Sequence, residues 1–138
     1  MLKVQYSLQE LKKTKYYFQM INLEESLFGN TLEAIYKFDN SLKFNLLISE
    51  FDNVFGFLIY KDHGVAYDIF KIGIDCNYQK KGFGNLLISD LFDKDIVLEV
   101  RVTNEDAIKF YESKDFYQFE ILKGYYKGVD GVKMLRRV

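Results

Sequence analysis

The stretch "IFKIGIDCNYQKKGFGNLLISDLF", residues 69–92, joins a strand-like apolar run to a helical pattern through a turn with two glycines and two lysines. Gly82 and Gly84 cost backbone entropy, so they indicate a tight turn or a ligand close to the backbone. Backbone N–H groups freed of Cβ atoms can turn toward an anion at the positive end of the following helix. Lys80 and Lys81 add charge that suits a diphosphate. On spacing alone, a phosphate site and a plain turn are equally good interpretations.

Composition limits the class of protein. The chain has 138 residues, 49% hydrophobic and 28% charged, which predicts one domain over residues 1–138. A net charge of −1 gives no global attraction to nucleic acid or anionic lipid. A single cysteine, Cys76, and a single histidine, His63, exclude an internal disulfide and indicate no metal site.

Targeting signals are also missing from the pattern. No apolar run approaches the roughly 20 residues that cross a bilayer, and the first residues lack the apolar region of a secretory signal. We therefore expect a cytoplasmic protein without a membrane partner. No pattern indicates an oligomer interface.

Hydrophobic periodicity predicts alternating strands and helices. Strand-like runs occupy residues 2–7, 44–49, 54–60, 65–74, 96–102, 116–122 and 131–138. A broken helical pattern occupies residues 9–28, and further helical patterns occupy residues 31–38, 84–92 and 104–113. Thr103 and Asp106 form a capping-box signature for the last helix. This order predicts an α/β fold with a mixed, mostly antiparallel sheet flanked by helices.

Two motifs in order carry a family resemblance. Residues 69–92 resemble the strand, pyrophosphate turn and helix of the GCN5-related N-acetyltransferases, the GNAT superfamily, and "VLEVRVTNEDAIKFYESKDF", residues 97–116, resembles their second signature. The tail "GYYKGVDGVKM", residues 124–134, is similar to RimI-type protein N-terminal (ribosomal-protein alanine) acetyltransferases. The resemblance implies a GNAT-like domain that transfers acetyl from acetyl-CoA directly to an amine.

The resemblance also implies which residues hold acetyl-CoA. Strand backbone groups would face the acetyl-pantetheine arm, the glycine turn would hold the diphosphate, and the Asn that starts the second helix would contact the pantetheine. These residues are Ile72, Gly73 and Ile74 in the strand, Gln79, Lys80, Lys81, Gly82, Phe83, Gly84 and Asn85 in the turn, and Asn104. Asn104 could equally be a helix cap.

By the same resemblance, Glu99 would be the general base and Tyr111 the acid that protonates the leaving thiolate. The chemistry needs such groups, since an amine must lose a proton to attack a thioester. We expect the apolar strand to desolvate Glu99. The alternatives are a solvent-facing Glu99 paired with Arg101 or a lysine, and a Tyr111 that only packs in the core. Asp68 is the rival base.

Acceptor contacts are implied at Tyr125, Tyr126 and Phe28. In the subgroup the tyrosine pair would cover the first residue of the acceptor, although hairpin packing would need the same residues. Phe28 precedes the Gly29–Asn30 break, where the family admits peptide, and an interhelix staple would look the same.

The chain departs from the family pattern at several positions. Asp115 replaces a glycine, which predicts a left-handed backbone with local strain. Cys76 replaces a common proline. Lys71 stands where the subgroup has Asn, which bears on the acceptor more than on acetyl-CoA.

The sequence therefore predicts an N-acetyltransferase whose acceptor is a protein N-terminal α-amine, as of a ribosomal protein. A small-molecule amine such as a polyamine or amino acid is the alternative acceptor. The rival from another class is a catalytically silent acyl-CoA-binding module.

Overall fold

The chain forms seven strands and five helices in a computed structural model that describes residues 1–138. The strands are β1 (Leu2–Ser7), β2 (Leu42–Ile48), β3 (Val54–Asp62), β4 (Ala66–Ile74), β5 (Asp95–Arg101), β6 (Tyr117–Tyr126) and β7 (Val129–Arg136). The helices are α1 (Leu8–Lys12), α2 (Tyr16–Phe28), α3 (Glu33–Tyr36), α4 (Phe83–Ile88) and α5 (Glu105–Glu112). The predicted α/β class is confirmed.

The strands belong to one sheet in the order β1-β2-β3-β4-β5-β7-β6. Antiparallel pairing joins β1 to β2, β2 to β3, β5 to β7 and β6 to β7, whereas β4 and β5 are parallel. The predicted mixed, mostly antiparallel sheet is therefore confirmed. The parallel ladder joins residues 66–69 to residues 95–98 and stops there, although β4 continues to Ile74 and β5 to Arg101.

Residues 1–62 and 70–90 make one compact unit, called unit 1 below. Most of its fully buried side chains come from the first helices and from β2 and β3, where apolar residues fill nearly every position. The largest of them include Tyr36, Phe44 and Phe57. Strands buried on both faces read as continuous apolar runs, and "FNLLIS" and "VFGFLIY" do so.

Residues 63–69 and 91–138 make the second unit, called unit 2 below. Alternation along β5 sends Ile96, Leu98 and Val100 into the core and leaves Glu99 and Arg101 exposed. The β6–β7 hairpin turns at Lys127 and Gly128, whose φ angles of 50° and 92° are both positive. A two-residue turn of that kind matches the twist of antiparallel strands.

Several predicted boundaries were wrong. The helix predicted over 9–28 is two helices, because Thr14 Oγ1 donates to the Leu11 carbonyl at 2.8 Å and accepts from the Tyr16 N–H at 3.2 Å. The helix predicted over 84–92 ends at Ile88 and continues as a 3₁₀ turn. Strand β6 runs to Tyr126 rather than to residue 122.

The predicted capping box at Thr103 was also wrong. Asn104 is the N-cap of α5, and its side-chain oxygen accepts from the Ala107 N–H at 3.3 Å. Asn is among the best N-cap residues because its short side chain satisfies a free N–H of the first turn.

Candidate active site

The glycine turn of unit 1 opens α4 in a left-handed conformation. Gly82 is the N-cap with φ 85°, and Lys80 also has a positive φ of 60°. A Cβ added at Gly82 would meet no atom within 4 Å, so backbone conformation rather than crowding within the protein requires glycine here. Lys80, Lys81 and Asn85 are exposed beside it.

Aromatic rings of β3 and of the turn itself pack together at this position. Phe55 of β3 stacks on Tyr78 with ring centroids 4.2 Å apart and meets Phe83 edge-on at 5.0 Å. Gln79 Nε2 donates to the Ile74 carbonyl at 2.9 Å, which ties the turn to the end of β4. The Gln79 side chain is thus a brace. Sequence reasoning missed Phe55 and Tyr78, since aromatic residues in a strand and a turn carry no signal of their contact.

The predicted pantetheine strand lies in the second half of β4. Gly73 is buried, and a Cβ there would lie 2.7 Å from Phe57 Cζ and 2.9 Å from Leu27 Cδ1. Gly73 is therefore required by packing, while Ile72 and Ile74 are half-buried. These residues lie beyond the parallel ladder of β4 with β5, which ends at residue 69.

The residues present in unit 1 suit a diphosphate. The turn combines an open approach at Gly82 with two exposed lysines, and phosphates favour such an arrangement of backbone N–H groups and positive charge. They fit the predicted coenzyme site on these grounds.

Glu99 lies on the open face of unit 2. Its neighbour across the ladder is Lys133 of β7, which in turn faces Glu120 of β6. The expected desolvation of Glu99 is wrong, because the period of two that buries its neighbours on β5 leaves its own side chain exposed. The alternative pairing with Arg101 is also not observed, since that guanidinium lies 4.8 Å from the centre of the Tyr126 ring.

The Glu99 carboxylate acts on the tyrosine pair of unit 2. Hydrogen bonding to the Glu99 carboxylate is the largest cause that raises the pKa of Tyr125, and the Asp68 charge adds to it. Burial raises the pKa of the neighbouring Tyr126, with a further contribution from Glu99. Asp68 faces Val97 in the β4–β5 ladder, so both candidate bases, Asp68 and Glu99, lie on this face.

The tyrosine pair is held by the hairpin that carries it. Gly124 has φ 60°, and its N–H donates to Asp130 Oδ1 at 2.8 Å. A Cβ on Gly131 would lie 2.8 Å from Tyr126 Cε2, so the ring packs directly on that backbone. Sequence reasoning missed that Asp130 fixes this backbone, and its place in the tail "GYYKGVDGVKM", residues 124–134, was the available signal.

Tyr111 is separate from that cluster in its contacts. It is 5% exposed and packs against Phe110 and Phe116 with ring centroids 5.4 Å and 5.3 Å away. Burial raises the pKa of its phenol, which therefore stays protonated at neutral pH. Asp115, at the end of the same segment, has φ 69°, so the predicted left-handed backbone is confirmed.

Phe28 ends α2 in unit 1 and is 40% exposed. Its ring centroid lies 6.3 Å from that of Phe57 and 4.6 Å from Lys71 Nζ. Lys71 also pairs with Glu24, a fully buried carboxylate that sequence reasoning missed. Its signal was a charged residue among the buried positions of an apolar helix.

No cluster of three or more His, Cys, Asp or Glu side chains has the arrangement of a metal site. None of the helices has both the length and the apolar character that a membrane crossing requires.

The sequence model of the Acetyltransferase (GNAT) family matches residues 7–116. The chain belongs to this family. The match includes the glycine turn, Glu99, Asn104 and Tyr111, and it ends before the Tyr125–Tyr126 pair. The GNAT resemblance of the two motifs is thereby confirmed.

Curated GNAT relatives include ribosomal protein bS18-alanine N-acetyltransferases. The protein from Salmonella typhimurium is 30% identical over 115 residues, which cover 78% of this chain and 72% of that protein. The Escherichia coli K12 protein is 37% identical over 70 residues, which cover 46% of this chain. That alignment spans about half the length of the relative, 47%.

A solved structure agrees in fold. Arabidopsis thaliana NAA60 in complex with acetyl-CoA superposes with a TM-score of 0.79 and 13% identity, covering 99% of this chain and 98% of that one. The likeness confirms the GNAT fold over the whole chain.

Proposed function

We propose that this protein is an acetyl-CoA-dependent N-acetyltransferase whose acceptor is the N-terminal α-amine of a protein, as of a ribosomal protein. Residues 1–138 act as one catalytic domain in this proposal. The observation that carries it is the exposed Glu99 carboxylate, on the same sheet face as Asp68, in a chain of the GNAT family. The names of the bacterial relatives support the choice of acceptor.

Acetyl-CoA would supply a thioester-activated acetyl group. The turn at Gly82, with Lys80, Lys81 and Asn85, would hold the diphosphate, because open backbone N–H groups and two exposed cations suit it. Backbone groups of residues 72–74 and the side chain of Asn104 would position the pantetheine arm. The end of the β4–β5 ladder at residue 69 supports this role for the strand.

Glu99 would accept the proton that the amine loses as its nitrogen bonds to the acetyl carbon. An exposed carboxylate can do so directly or through one water. Tyr111 would donate its proton to the sulfur as the carbon–sulfur bond breaks, and its raised pKa keeps that proton available at neutral pH. Tyr125, Tyr126 and Phe28 would contact the first residue of the acceptor.

The test is acetyl-CoA consumption and thiol release by the purified protein with two acceptor sets. One set holds short peptides with varied first residues, including ribosomal-protein N termini, and the other holds polyamines and amino acids. Turnover confined to peptides and dependent on the first residue is the expected result.

Turnover with metabolites alone would keep the mechanism and overturn the acceptor assignment. Coenzyme A binding without turnover on either set would favour a catalytically silent acyl-CoA-binding module. The cytoplasmic location stays a prediction.

A further inference from the structure

A buried ion pair joins α2 to β4 in unit 1. Glu24 is fully buried and accepts from Lys71 Nζ at 2.8 Å, from the Leu32 N–H at 3.0 Å and from Tyr36 Oη at 2.9 Å. Both oxygens of this carboxylate therefore accept at least one hydrogen bond. A buried charge is tolerated only when it is paired and hydrogen-bonded in this way.

The ammonium of Lys71 is engaged on its other sides as well. It donates to Asn30 Oδ1 at 3.3 Å and lies 4.6 Å from the centre of the Phe28 ring. The Lys71 side chain is 14% exposed, so little of its charge reaches solvent. The Lys71 side chain of β4 therefore contacts the Glu24 carboxylate and both ends of the Phe28–Asn30 turn, the Phe28 ring and the Asn30 amide.

Stability alone is a poor reason for such a pair. Replacing both partners of a buried ion pair by neutral residues is often neutral, whereas removing one partner leaves an uncompensated charge. What the pair does supply is a turn with defined geometry and two charges that cancel each other.

We propose that the Glu24–Lys71 pair is a specificity-determining element: it positions Phe28 and Asn30 and presents a charge-neutral surface to the acceptor. This inference rests on the proposed function, since it takes Phe28 as an acceptor contact. It implies that the protein prefers acceptors with an uncharged first residue. Removing one partner of the pair should shift the preference toward a first residue whose charge is opposite to that of the remaining partner.

The experiment compares acetylation of three peptides that differ only in the first residue, which is Ala, Asp or Lys. Glu24→Gln leaves the Lys71 ammonium unbalanced and should raise the ratio of kcat/KM for Asp over Ala about 5-fold. Lys71→Met leaves the Glu24 carboxyl with only the Leu32 and Tyr36 donors and should raise the ratio for Lys over Ala by a smaller factor, because an unpaired buried carboxyl is partly protonated. The double variant should return both ratios to the wild-type values. A role limited to folding would not shift the two single variants in opposite directions.

Asn30→Asp tests the inference even if the variants at the buried positions do not fold. Asn30 is exposed, so this change adds a carboxylate beside Lys71 without burying it, and it should favour Lys over Asp peptides. Lys61→Met is the matched control, because it removes the same charge from an ion pair with Asp39 in the same unit and should leave the ratios unchanged. Unchanged ratios in Asn30→Asp and in the folded single variants would overturn the inference.

Two readouts separate this inference from the proposed function. Amide hydrogen exchange at Leu32, whose N–H donates to Glu24, should accelerate in Glu24→Gln, and the thermal effects of Glu24→Gln and Lys71→Met should be non-additive. Additive effects with unchanged exchange would show that the pair is not formed and would overturn the inference. If the wild-type protein acetylates no peptide, the acceptor assignment fails. The effect of each variant on the ratio of kcat/KM is then measured with diamines and amino acids as the differently charged acceptors.

Discussion

The Glu99 carboxylate raises the pKa of the Tyr125 phenol, chiefly through hydrogen bonding, although 26 positions of sequence separate the two residues. Glu99 sits in the middle of β5, and Tyr125 lies in the bulged end of β6 that Asp130 braces through Gly124. The candidate base therefore acts electrostatically on a residue that the proposed function places next to the acceptor.

Titration of Tyr125 tests this interaction directly. The phenol must stay neutral to donate to the carboxylate, so removing the negative charge in Glu99→Gln should lower the pKa of Tyr125 toward the ordinary value of 10.0. Ultraviolet absorbance of ionised tyrosine, with Tyr125→Phe subtracted, measures the change. Asp68→Asn should lower the pKa less, because hydrogen bonding to Glu99 is the larger cause. A titration curve that is the same in wild type and Glu99→Gln would contradict the interaction.

Glu99→Gln should also reduce kcat by about 10²- to 10⁴-fold, the usual contribution of a general base, while coenzyme A affinity is unchanged. Steady-state kinetics and calorimetry measure the two effects. Glu120→Gln is the control, since Glu120 is exposed and flanks Lys133 on the other side. Full activity in Glu99→Gln with loss in Asp68→Asn would make Asp68 the base.

Tyr111→Phe should lower kcat about 100-fold, within the range for one proton-transfer group, with little change in fold because the ring stays in place. Tyr67→Phe controls for loss of a phenol in unit 2. Its hydroxyl donates to Asp93 Oδ1 at 3.1 Å. The Tyr67→Phe variant should therefore lose about 1 kcal/mol of stability and keep full activity. Equal kcat in wild type and Tyr111→Phe would leave Tyr111 as a core residue.

Gly82→Val should abolish coenzyme A binding, because a side chain would fill the open approach to the turn. Gly64→Val is a matched control: its φ of 86° equals that of Gly82 within a degree, and a Cβ at either position meets no atom within 4 Å. Both variants should lose about 1–2 kcal/mol from the left-handed backbone, and only the first should lose binding. Retained binding in Gly82→Val would make the glycine turn purely structural.

Gly73→Ala should destabilise the protein by about 1–3 kcal/mol through overpacking against the Phe57 ring. Phe57→Leu in the same chain should recover part of that loss. Gly56→Ala offers a comparison, because its new Cβ would meet the flexible end of Ile74 at 2.9 Å and should cost less. Urea unfolding measures all three, and a Gly73→Ala as stable as wild type would refute the packing argument.

Local pattern predicted much of this protein. Alternation identified β5 and the exposure of alternate residues along it, and the positive φ expected at Asp115 was found. The glycine turn and α5 were located within a few residues. Each of these features depends on neighbours within one or two turns of chain, so one sequence carries the information.

The tertiary structure decided the partners. Glu24 and Lys71 are 47 positions apart and meet because α2 ends beside the middle of β4. Likewise, the pairing of β5 with β7 placed Lys133 opposite Glu99 and left Arg101 to the Tyr126 ring. Strand order and register select these contacts, and neither can be inferred from the local sequence around any one of the residues. The sequence by itself determined the family motifs and the chemistry they carry, whereas the charge balance around Lys71 and the partner of Glu99 depended on how distant strands align.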